Sequence, residues 1–100
     1  DMNYTELEEL VLDWANEKGI LDKSNPIKQI GKTQEELTET LIALVESDDE
    51  EIKDGIGDML VTIIILAKLC DLTTTECLEA AYDVIKTRKG KMVNGLFVKE

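Results

Sequence analysis

Six carboxylates fall at helical spacing in two acidic blocks, Glu35, Glu36 and Glu39, then Glu51, Asp54 and Asp58. Residues three, four and seven apart share one helix face. Like charges at those spacings repel, so a stable fold does not collect them on one stripe without a reason. The usual reason is a hard divalent cation, because oxygen donors suit Mg²⁺, Mn²⁺ or Ca²⁺. One such block alone reads as a solvated acidic face. Two blocks, each running straight into an apolar helical stretch, favour a metal site.

The rest of the composition narrows the chemistry. The chain has no histidine, which removes His-based zinc sites, Ser-His and Cys-His catalysis, and the Glu-x-x-His di-iron pattern. Its two cysteines, Cys70 and Cys77, are too few for a disulfide scaffold or a four-ligand zinc site, and read as reduced, partly buried residues of a cytoplasmic protein. A net charge of −11 argues against nucleic-acid polymers and anionic membranes as partners. It suits a cation-dependent site or a basic protein equally well. No Walker-type loop is present, and neither cysteine sits in a basic setting that would activate it.

The elements that must position the carboxylates are helical. One hundred residues make one domain, 1–100, whose core must be mainly aliphatic because only Tyr4, Trp14, Tyr82 and Phe97 are aromatic. Thr5 with Glu8 predicts a capping box opening a first helix with the stripe Leu7, Leu10, Val11 and Trp14, ended near Gly19. Asn25-Pro26 predicts the N-cap and first position of a second helix running toward Val45, with Gly31 weakening its start. After a break at Ser47-Asp48-Asp49, a third helix spans about 50–70. It is apolar on one side through Ile52, Ile56, Met59, Leu60, Ile63 and Leu66, and on the other through Val61, Ile64 and Ile65. A helix apolar all round is buried all round. So small a chain can hardly surround it, which predicts a subunit interface. Thr73 with Glu76 predicts a capping box for a fourth helix to about Thr87, with Leu78, Ala81, Tyr82 and Ile85 inward. Asn94-Gly95 between short apolar runs predicts a hairpin, which must pack on the helices or pair with another chain. The longest strongly apolar stretch, Met59 to Leu66, is far short of a membrane span, and no charged-then-apolar signal segment opens the chain. Met2 is expected as the natural start, with Asp1 added before it.

The short break at 47–49 makes the second and third helices antiparallel neighbours, so the two acidic blocks can face each other. Four or more oxygens from two helices would hold one or two Mg²⁺ and leave positions for phosphate and water. An EF-hand loop turning at Gly55 fails, because Ile52 stands where a ligand is needed. A glycosidase cleft would need aromatics that the chain lacks. A phosphate substrate also needs protein cations, and these are few: Lys28 and Lys32 precede the first block, while Lys86, Arg88, Lys89 and Lys91 precede Asn94. The second group equally suits the C-terminal end of the fourth helix, and Lys32 equally suits pairing with Glu36.

The segment Gln29-x-x-Lys32-x-x-Glu35-Glu36-x-x-Glu39 resembles the E-E-x-x-E helix of the MazG-like, all-α nucleoside triphosphate pyrophosphohydrolases. Eleven residues separate it from Glu51-x-x-Asp54, close to that family's separation before its E-x-x-D element. Ile56-Gly57-Asp58-Met59-Leu60 resembles the family's Gly-Asp-Leu-Leu helix, and Arg88 to Phe97 resembles the C-terminal ends of small members. The likeness covers roughly 27–99. In one respect the chain departs from the pattern: many members carry Glu three residues before the Asp that opens the apolar helix, and here Gly55 holds that place. The second motif therefore reads as Glu51/Asp54 or as Asp54/Asp58.

The resemblance implies an all-α, four-helix, bundle-type subunit with a short C-terminal β-hairpin, working as a homodimer or dimer of dimers in the cytoplasm. It implies Mg²⁺-dependent hydrolysis, with Mn²⁺ as a substitute, of nucleoside or deoxynucleoside triphosphates to monophosphate and pyrophosphate, as in nucleotide-pool housecleaning. Glu36, Glu39 and Asp58, helped by Glu51 or Asp54, are the expected metal ligands. A carboxylate not fully engaged with metal can orient or deprotonate the attacking water, a role expected of Glu35 or Glu36. Gln29, Lys32, Lys89, Lys91 and Asn94 are the expected substrate-binding residues. The rival class is a non-enzymatic acidic helical oligomer that binds a basic protein partner.

Overall fold

The computed structural model covers residues 1–100 and contains five helices followed by a two-stranded antiparallel hairpin. α1 (Tyr4–Glu17) is capped by Asn3, whose side-chain oxygen accepts the Glu6 amide. The expected Thr5–Glu8 capping box does not form, because the helix starts earlier and Thr5 lies inside its first turn; Glu8 is buried instead. There it accepts the hydroxyl of Thr74, a partner 66 residues away. Gly19, at φ +78°, turns the chain into a single helical turn, α2 (Ile20–Lys23). This is the fifth helix where four were expected; one turn is too short to show a helical period.

Asn25 caps α3 (Pro26–Val45) by accepting the Lys28 amide, and Pro26 occupies its first turn. Gly31 does not interrupt it. Ser47, at φ +54°, reverses the chain, and Asp48 caps α4 (Asp49–Leu69). Asp49, Glu50 and Glu51 fill the first turn of α4, at the positive end of its dipole. The Thr73–Glu76 capping box forms in both directions and opens α5 (Thr74–Ile85). β1 (Gly90–Val93) and β2 (Leu96–Lys99) pair with Val93 opposite Leu96. Asn94 and Gly95 both take positive φ, 51° and 83°, the geometry of the two-residue hairpin turn expected of this dipeptide.

α3 and α4 form the main packed unit, with α1 laid against α4. α3 and α4 run antiparallel and pack tightly at Gly55, where a Cβ would stand 2.3 Å from Thr40 Oγ1. The buried apolar residues are few and small: Ala15, Ala43, Ile64, Ile65 and Ala67. α4 is not buried all round in the single chain, since Ile56, Leu60 and Ile63 are exposed. Cys70 and Cys77 are also exposed rather than partly buried. α5 touches α4 only at one end, and the hairpin packs against no helix of its own chain. The radius of gyration, 15.7 Å, exceeds the roughly 13 Å of a compact 100-residue domain. No helix is long and apolar enough to cross a membrane.

Candidate metal centre

Two hydrogen bonds tie α3 to α4 beside the acidic residues, with bonds inside each helix orienting the threonines that take part. Gln29 Nε2 donates to the Thr62 carbonyl at 3.1 Å. Thr62 gives its own proton to the Met59 carbonyl at 2.7 Å and accepts the Thr33 hydroxyl at 2.9 Å. Nearer the turn, Thr40 Oγ1 donates to the Glu36 carbonyl at 2.8 Å while its side chain packs on Gly55. Glu36 and Asp58 lie between these two fixed levels, so the spacing of their backbones is set by contacts outside the acidic cluster.

Glu36 is the centre of that cluster. It is buried, and its Oε2 has no hydrogen-bond partner. Burial first, then the charges of Glu39 and Asp58, push its carboxyl above the ordinary carboxylate range; Lys32 opposes them, and Glu35 adds a smaller push. A buried carboxylate oxygen left without a partner is costly, and a cation is the partner that would relieve both the orphaned oxygen and the repulsion. The donors are all oxygens, which fits Mg²⁺ or Mn²⁺ better than a softer metal. As they stand, no three acidic side chains converge closely enough to hold an ion.

The raised pKa of Glu36 has a measurable consequence. Its folded value lies above its unfolded value, so folding takes up a proton in the interval between them. Stability is therefore lost as pH rises through that interval. Replacing Glu36 with Gln removes the penalty. Without divalent cations, the Glu36→Gln chain should melt above the parent at neutral pH, and the gain should vanish below the ordinary carboxylate range. Thermal melts followed by circular dichroism at several pH values measure this; a variant that melts lower at neutral pH would contradict it.

The remaining sequence candidates are placed unevenly. Glu51 and Asp54 are not among the charges that act on Glu36. Glu51 stands two turns from Asp58, about 10 Å along the helix axis. Position 55 explains its own residue: at this helix separation a side chain there would run into Thr40, so no carboxylate fits. Lys32 pairs with Glu35 at 3.2 Å rather than with Glu36; that hydrogen bond and charge hold its amine above the usual lysine value. Gln29 is buried with its amide engaged on α4. Lys89, Lys91 and Asn94 belong to the hairpin and its approach, which stand apart from α3 and α4.

One feature escaped the sequence reading. Asp58 also lines a hollow of about 380 Å³ whose other walls are Leu7, Leu10, Val11, Trp14 and Val61. The Trp14 indole is 47% exposed there. The apolar period of α1 marked these residues as core, and nothing in that period tells a covered stripe from an open shelf.

No family model matches the chain, and no solved structure matches it. A similar protein is an uncharacterised 18.2 kDa protein from the rep-hol intergenic region of Haemophilus phage HP1, 38% identical over 55 residues. The match covers 55% of this chain and 34% of that protein.

Proposed function

We propose that this chain is a Mg²⁺-dependent nucleoside triphosphate pyrophosphohydrolase of the MazG-like type, acting on nucleotides or deoxynucleotides in the cytoplasm. The observation that carries the reading is the unpartnered, buried oxygen of Glu36, on which the charges of Glu39 and Asp58 act. The E-E-x-x-E spacing on α3 and the Asp58 position on α4 support it from the sequence side.

In this reading Glu36, Glu39 and Asp58 hold the cation, with Asp54 one turn away from Asp58 as the next donor. Bound there, Mg²⁺ supplies charge neutralisation for the phosphates and a lowered pKa for attacking water. Glu35, or Glu36 through an oxygen not engaged with the cation, would accept the proton from that water. Water oxygen bonds to the α phosphorus, the bridging bond to the β phosphate breaks, and pyrophosphate leaves. Lys32, whose charge acts on Glu36, would meet the phosphate chain. The Trp14 shelf beside Asp58 suits the nucleoside end, because an indole face stacks on any base. This leaves the hairpin cations, Lys89 and Lys91, to act from a second subunit.

Hydrolysis in ¹⁸O-labelled water tests the reaction. The label is expected in the monophosphate and not in pyrophosphate. Label in pyrophosphate, or release of single phosphate, would contradict the reading.

A second reading, an acidic oligomer that binds a basic protein, draws support from the net charge of −11. The two separate on one measurement: a ligand at 100 times its dissociation constant raises stability by about 2.7 kcal/mol, so millimolar Mg²⁺ should shift the melt only under the first.

A further inference from the structure

We propose that Thr62, together with Thr33, is a positioning residue that decides which divalent cation the α3–α4 groove accepts; the inference rests on the metal centre proposed above. Both hydrogen bonds that join the two helices end on Thr62. Its carbonyl accepts Gln29 Nε2 at 3.1 Å. Its hydroxyl accepts Thr33 at 2.9 Å while donating to the Met59 carbonyl at 2.7 Å. Thr62 is buried.

Thr62 lies one turn beyond Asp58 on α4, and Thr33 lies one turn before Glu36 on α3. On the other side of the acidic pair, one turn away again, Thr40 packs on Gly55. Glu36 and Asp58 thus sit on a stretch of two helices held at both ends. Within that stretch Glu36 is only 9% exposed, and its Oε2 has no hydrogen-bond partner. A side chain packed so closely has little room to swing, so the reach of that oxygen toward α4 follows the separation of the helices.

The fold itself does not require the two hydroxyls. Replacing both partners of a buried hydrogen bond with apolar groups of the same shape can be nearly neutral for stability, and Val is about as good a helix former as Thr. What the hydroxyls add is a fixed distance. An O–H···O bond holds its oxygens roughly 2.5–3.0 Å apart, whereas apolar contacts tolerate repacking. Cations differ on that same scale of a few tenths of an ångström. Mg²⁺ demands near-octahedral oxygens at roughly 2.0–2.1 Å, while Ca²⁺ takes roughly 2.3–2.6 Å in flexible geometry. A groove held at fixed width favours the smaller and stricter ion.

Thermal melts of the whole chain, titrated with Mg²⁺ alone or Ca²⁺ alone, give an apparent Kd for each ion. The parent should bind Mg²⁺ the more tightly. In Thr33→Val/Thr62→Val the cation-free melt should stay close to the parent's. Its Kd for Mg²⁺ should rise at least about tenfold, the usual cost of losing a group that orients metal ligands, while Ca²⁺ binding holds. Thr62→Ser keeps the hydroxyl and should keep the parent's preference. Thr33→Val alone removes the same cross-helix bond at a half-buried position, and supplies the comparison if the double variant does not fold. An unchanged preference in the valine variants would overturn the proposal. So would an equal loss of both ions, the mark of a site merely loosened, or a parent that prefers Ca²⁺. A parent melt that neither ion shifts would overturn the metal centre itself, and this proposal with it.

Discussion

An Asp58→Asn chain should release pyrophosphate at least about 100-fold more slowly than the parent, because a cation at a phosphoryl oxygen supplies several kcal/mol of transition-state stabilisation and each 1.36 kcal/mol is tenfold. Asn keeps the size of the side chain and half its oxygens. What it loses is the charge on α4 that acts on Glu36. Glu39→Gln should behave alike, since Glu39 is the strongest charged neighbour of Glu36. Both variants should fold, and relief of like-charge repulsion should leave their cation-free melts no lower than the parent's. Rates measured as pyrophosphate release over a Mg²⁺ titration check this. Full turnover in both variants would place the centre elsewhere.

The second large effect is structural. Gly55→Ala should destabilise the chain by about 1–3 kcal/mol, the usual cost of forcing atoms into a packed contact. At this chain length that corresponds to a fall of several degrees in melting temperature, roughly 4–8 °C per kcal/mol. The new methyl would lie 2.3 Å from Thr40 Oγ1 and 3.1 Å from Thr40 Cβ. The helices must part, and Asp58, less than one turn onward, moves with α4. Thr40→Gly in the same chain removes both obstructing atoms and should recover part of the melting temperature. Gly57→Ala is the control, because nothing lies within 4 Å of a Cβ there. If Gly55→Ala melts like Gly57→Ala, the close approach of α3 and α4 does not set their separation.

What could be read from the sequence was local. The Asn25 cap, the Thr73–Glu76 box and the Asn94-Gly95 turn are decided by residues within four positions of each other, and all three formed. Glu8 shows where such reading stops: its spacing from Thr5 suits a box, but Asn3 takes the cap two residues earlier and Glu8 meets a hydroxyl 66 residues away. For the acidic cluster, helical period gave the face and not the depth. Glu36, Glu39 and Asp58 share a level across two helices, whereas Glu51 has the same phase two turns away from Asp58. Nor does period say how much of a stripe is covered, so the exposure of Leu60, Leu78 and Trp14 was legible only from the packing.

The α3–α4 pair has one more consequence, in time rather than space. Its fastening contacts, Gln29 to Thr62, Thr33 to Thr62 and Thr40 to Gly55, all lie within one contiguous stretch of chain closed by a short turn. Contacts at small sequence separation form fast, while the Glu8–Thr74 link must wait for a loop of more than sixty residues to close. The strongly charged helices are thus expected to organise before α5 is fixed in place. During that interval the negative charge on α3 and α4 would keep neighbouring chains apart and guard the exposed apolar stripe of α5 against indiscriminate sticking.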